Sequence, residues 1–253
     1  MTDQLDQLAL SSTYHHDMMM FLKEMRKQPL GLTKTGRLQR VEITKLGTLF
    51  KQDIYHRDEQ GEIMFPIMTE DEVQHLLCLR ALARIMHLNY QRKGKVYLSK
   101  NGQGFLGNIS PGIQLTHLFL TFVCELNWEY LHPGTSNGEN VSLVLQKNAK
   151  YIFQYLLQSG TTSIDFKVFS KNLGEYFDLI NPEEIKDVTG DQTWWLRSSV
   201  EYTLIRELEL FGIVITTKIK KYRTSDEVTD FKVTEDGRLL LARAFKSNWR
   251  YGV

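Results

Sequence analysis

Three short stretches of this chain repeat one pattern, and no other feature restricts its architecture as much. Leu32-Thr33-Lys34-Thr35-Gly36-Arg37-Leu38, Leu98-Ser99-Lys100-Asn101-Gly102-Gln103 and Val233-Thr234-Glu235-Asp236-Gly237-Arg238-Leu239 each set a hydroxyl residue after an apolar one, then two polar residues and a glycine. Such a stretch suits a strand handing over to a helix. The apolar residue ends the strand facing inward, the Ser or Thr caps the new helix, and the glycine allows a close approach in its first turn. The second and third copies also share what precedes them. Each follows a long apolar helical pattern (73–86 and 193–211) and then a lysine-bearing alternating segment. Residues 88–98 alternate about Arg92-Lys93-Gly94-Lys95 and read as a hairpin with a basic tip, while 213–222 and 228–233 read as a second strand pair. Helix, hairpin, capped helix is how a winged helix ends. The expected fold is therefore α+β, predominantly helical, with two winged-helix-like modules joined by a central helical section. The first copy has no hairpin before it and reads as the opening strand and helix of module one.

Elsewhere, 14–25 reads as a helix stopped by Pro29, and 36–50 as another. Thr69 followed by Glu70, Asp71 and Glu72 is a helix start, since the hydroxyl can cap and the acids favour the positive end of the dipole. Residues 115–130 suit a central helix. The segment 133–140, rich in Gly, Ser and Asn, is the linker candidate and divides the chain into 1–132 and 133–253. Beyond it, 141–157 and 164–180 read as two amphipathic helices.

Pro29-Leu30-Gly31-Leu32-Thr33-Lys34-Thr35-Gly36-Arg37-Leu38, followed by Lys95-Val96-Tyr97-Leu98-Ser99-Lys100-Asn101-Gly102, resembles the N-terminal region of bacterial XPB-type helicases. It is similar as well to a set of plasmid-borne and mobile-element proteins. In those proteins such segments form winged-helix-like folds outside any catalytic part. The resemblance covers residues 30–106 and implies a fold, not an activity. Nothing in the chain matches the phosphate-binding Gly-x-x-x-x-Gly-Lys-Ser/Thr pattern, so helicase activity is not carried over.

Charge is nearly balanced, 31 Lys and Arg against 30 Asp and Glu, so partners must be sought in local segregation. The stretches 25–41, 73–124 and 210–225 contain basic residues and no acid. They coincide with the repeats and the hairpins. That layout suits phosphate contact, and the candidate nucleic-acid-binding residues are Arg37, Arg80, Arg84, Arg92, Lys93, Lys95, Lys218, Lys220 and Lys221. Arg80 and Arg84, one turn apart, would point together into a groove. The plainer reading is that lysine-rich hairpins discourage edge-to-edge strand pairing. In the second module Glu201, Glu207 and Glu209 would repel a phosphate backbone. Trp194-Trp195 there suits core or a protein anchor.

No catalytic, cofactor or metal motif is present. Glu72 and His75 have helical spacing without a second cluster and read as a solvated face, and the neighbours His15-His16-Asp17 diverge on a helix. Cys78 and Cys124 sit in apolar runs and read as buried thiols, which fits a reducing, cytoplasmic setting. The leading expectation is a non-enzymatic protein that binds double-stranded DNA. The rival is a protein–protein adaptor or complex subunit that pairs or self-associates through its C-terminal module. No membrane partner is expected.

Overall fold

The computed structural model describes residues 2–58, 60–131, 135–136, 139–179, 194–219 and 227–246. The chain is α+β and predominantly helical, and its contacts divide it into two units, Met1–Phe122 and Val123–Val253. None of the described helices is long and apolar enough to cross a membrane.

The first unit opens with α1 (Thr2–Ser11) and α2 (Thr13–Lys27). Residues 1–12 look polar in sequence, yet Leu5, Leu8 and Ala9 fall on one side of α1 and are buried. Ser12 starts α2 by accepting from the backbone N–H of His15 at 3.3 Å. One side of that helix buries Tyr14, Met18, Phe21, Leu22 and Met25. The chain turns through Pro29 into β1 (Leu30–Gly31). Here the first copy of the repeat does not open a helix. Thr33 N–H donates to Arg37 O at 2.7 Å, closing a tight turn, and α3 (Arg40–Gly47) begins only after it. The acids after Thr69 do form a capping box, but they close a separate 3-10 turn at Glu70–Glu72 before α4 (Gln74–Ile85). The strands β2 (Asn89–Arg92) and β3 (Lys95–Leu98) follow, then α5 (Lys100–Asn108) and α6 (Pro111–Cys124). β3 is central in an antiparallel sheet of order β1-β3-β2.

In the second unit a 3-10 turn at Trp128–Tyr130 precedes the two-residue strands β4 (Thr135–Ser136) and β5 (Glu139–Asn140), which pair within the expected linker. The helix expected over 141–157 is two helices, α7 (Val141–Lys147) and α8 (Ala149–Gln158). The break is at Asn148, whose side-chain amide donates to Val144 O at 2.9 Å. The helix expected from 164 starts later, because Ile164–Asp165 are drawn into β6 by pairing with Phe231 and Asp230; α9 (Phe166–Tyr176) follows. Next come α10 (Trp194–Val200), one π-helical segment Glu201–Ile205, α11 (Arg206–Leu210), β7 (Val214–Ile219), β8 (Glu227–Val233) and α12 (Glu235–Lys246). The sheet order is β6-β8-β7, antiparallel. Phe231 packs edge-on to Phe166 and Phe169 at its centre.

Among the described residues each unit thus runs helix, strand, further helical segments, hairpin, helix, with the last strand in the middle of the sheet. The repeats build the same junction in both. Ser99 Oγ accepts from Gly102 N at 2.9 Å and donates to His87 O at 2.6 Å; Thr234 Oγ1 accepts from Gly237 N at 2.8 Å and donates to Gly212 O at 2.9 Å. One hydroxyl therefore both caps the new helix and ties it to the end of the helix before the hairpin. A Cβ on Gly102 would lie 2.2 Å from Leu88 O, and one on Gly237 2.4 Å from Ile213 O, so any side chain would push the helix off the strand.

Candidate nucleic-acid interface

The hairpin β2–β3 turns at Lys93-Gly94, both at positive φ (46° and 69°), the two-residue turn whose twist matches that of the strands. Its register sets Tyr90 opposite Tyr97, Gln91 opposite Val96, and Arg92 opposite Lys95. Side chains alternate in a strand, so Tyr90, Arg92, Lys95 and Tyr97 share one face. Val96, on the other face, is buried and anchors the ribbon to the core. The Tyr90 and Tyr97 rings stack with centroids 5.4 Å apart and planes 14° from parallel, and Tyr90 remains 48% exposed. Arg92, Lys93 and Lys95 are exposed at the tip beside them, and none forms an ion pair with a described residue. The outcome is a ribbon that sets an aromatic pair beside three exposed cations without an ion pair to a described residue. The tyrosines carry a signal that charge counting misses: their pairing appears only once the turn fixes the register.

The other expected contacts divide. Arg84 is exposed near the end of α4, without an ion pair to any described residue. Arg80, one turn earlier on the same helix, does not join it. Its side chain is 14% exposed, pairs with the fully buried Glu70 and donates to Gly36 O at 3.2 Å. Glu70 in turn accepts from the Leu38 N–H at 2.7 Å, so Arg80 holds the 33–38 turn against α4. Arg37 pairs with Asp71 at 2.7 Å. Lys218 pairs with Glu209 at 2.8 Å. Burial pushes the Glu209 carboxyl up, but hydrogen bonds from Lys218 and Thr216 outweigh it and hold the group below the usual carboxylate range. Lys220 and Lys221 lie outside the described residues. Trp194 is 65% exposed at the start of α10 and Trp195 is half-buried.

A second polar cluster lies inside the first unit. Asp17, fully buried, accepts from Lys51 N at 2.6 Å, Gln52 N at 3.1 Å, His16 Nδ1 at 2.8 Å and His75 Nε2 at 2.9 Å. Burial raises its pKa, but the hydrogen bonds from His75 and His16 prevail and keep the carboxylate ionised to lower pH than usual. His75 is therefore not on a solvated face: its side chain is 7% exposed, between Asp17 and the rings of Tyr14 and Phe50. The helical turn sends His15 elsewhere, with Nε2 2.7 Å from Gln114 Oε1. Among the described residues no group of His, Cys, Asp and Glu is arranged to hold a metal ion. Cys78 is buried. Cys124 is half-buried, and desolvation pushes its thiol up to about 11.

Residues 9–111 match the model of a family described as Y4jL N-terminal domain. That span includes residues 30–106, and nothing in the match links it to XPB-type helicases or to winged helices. No curated protein and no solved structure matches the chain.

Proposed function

We propose that this protein is a non-enzymatic, cytoplasmic, DNA-associated accessory protein whose units are two winged-helix modules and whose β2–β3 wing makes the principal DNA contact. The observation that carries this reading is the wing face itself, where Arg92, Lys93 and Lys95 stand exposed beside Tyr90 and form no ion pair with a described residue. Cations free of intramolecular partners are the ones able to replace counterions on a phosphate backbone. The shared order of helix, strand, helical segments and hairpin among the described residues, with the last strand central, supports the winged-helix assignment. The helix before the wing is a poor groove reader: Asp71 and Glu72 are exposed just ahead of it and Arg80 is committed to Glu70. Arg84, exposed in the last turn of the same helix, is the cation there that can add a phosphate contact. Full-length protein should retard a duplex fragment in an electrophoretic shift at low salt and release it as salt rises. Absence of binding to both duplex and single-stranded DNA at low salt removes the reading.

An adaptor role has its own support. Ile63, Met64, Phe65 and Met68 form a run of exposed apolar side chains, which is uncommon on a monomer surface. In the second unit Trp194 is exposed, and α8 and α9 border an apolar groove of about 250 Å³ lined by Tyr151, Tyr155, Phe169 and Tyr176. Light scattering that shows a stable oligomer, with no DNA retardation, would favour this second reading.

A further inference from the structure

We infer that the β2–β3 wing is a stacking platform for unpaired nucleotides, so that the protein prefers single-stranded DNA to duplex; this rests on the reading of the wing as a DNA contact and specifies its substrate. Three features of the ribbon point the same way. First, the register places the two tyrosines on the same face as Arg92 and Lys95, so a strand whose phosphates meet the tip lays its bases along the aromatic step. Second, the rings stack on each other nearly parallel at 5.4 Å, and Tyr90 is 48% exposed, so the pair offers an outer ring surface on which a base can continue the stack. Third, the helix that would read a duplex groove has exposed carboxylates at its start and one of its two arginines locked inward.

The physical distinction is one of availability. In a duplex the faces of the bases are covered by their neighbours, and a protein meets phosphates and groove edges. An exposed aromatic ring gains from stacking when the base is unpaired, and that gain is tolerant of sequence because every base has a π-face. Three cations at the tip supply phosphate contact to either form, so they cannot create the preference. Tyr90 and Tyr97 do.

A cross-strand aromatic pair also stabilises a hairpin, so the test separates folding from binding. Anisotropy titrations of the full chain are run at one salt concentration against a labelled oligothymidylate and a blunt duplex of equal length. Tighter binding to the oligothymidylate is expected. Tyr90→Ala should weaken that binding by between about 5-fold and 100-fold and lower duplex affinity by a smaller factor. Tyr90→Phe, which keeps the ring and removes the hydroxyl, should bind as the parent does. Thermal unfolding of each variant confirms that the unit is folded, and Tyr97→Ala provides a second variant. Equal or tighter binding to duplex, or an oligothymidylate affinity unmoved by both alanine variants, overturns the stacking inference while the DNA reading stands. Absence of binding to either oligonucleotide overturns the DNA reading itself.

Discussion

Arg80 faces the buried carboxylate of Glu70, whereas Arg92 stands in solvent at the turn of a hairpin; identical side chains therefore do different work. Removing one partner of a buried pair strands the other charge in a poorly solvated site. Arg80→Ala should lower unfolding stability by about 3 kcal/mol in urea titrations. Arg92→Ala should stay within about 0.5 kcal/mol of the parent. The two arginines look alike in sequence because the partner of Arg80 comes from a 3-10 turn whose geometry local patterning does not specify. Acid should weaken the first unit through two groups whose pKa is lowered in the fold. Burial lowers the pKa of His15 from its ordinary 6.5, despite the Gln114 contact, so its neutral form stabilises the fold above pH 6.5 and this is lost as pH falls through the folded value. Asp17, also held low, contributes above pH 3.8 and loses that contribution further down. Proton NMR should place the His15 midpoint below 6.5, and urea titrations should show stability at pH 5 below that at pH 7.

At the scale of elements, the repeated junction governs both units. Gly102→Ala and Gly237→Ala each drive a methyl into a backbone carbonyl, at 2.2 Å and 2.4 Å. Because backbone cannot swing aside as a long side chain does, each should cost about 1–3 kcal/mol, seen as a lower urea midpoint. This junction was legible in the sequence because capping is local chemistry: a hydroxyl, two polar residues and a glycine specify it within four positions. Short strands were not legible. β6 is two residues long and exists because distant β8 pairs with it, so Ile164 reads as helix from its neighbours alone. The break at Asn148 is also hidden, since apolar spacing continues through it into α8. The turn at 33–38 has the junction's residues without a preceding helix end to tie to, and it closes on itself instead.

For the whole molecule, overall charge is uninformative and its distribution is decisive. The 52 residues from 73 to 124 contain no carboxylate side chain, and their hairpin presents three cations without an ion pair to a described residue, whereas Arg37 and Lys218 pair with Asp71 and Glu209. The basic tip was therefore readable from sequence, while its aromatic step required the register and the loss of Arg80 to Glu70 required the tertiary fold. In the proposed reading, nucleic-acid affinity resides in the wing. The direct test is the salt dependence of binding for the parent chain and for the combined Arg92→Ala, Lys93→Ala and Lys95→Ala variant. Each phosphate contact contributes a slope of about −0.7 to −0.9 in log affinity against log salt, so the variant should bind more weakly with a slope shallower by about 2 to 3. Equal affinity and slope in the two proteins would contradict the account.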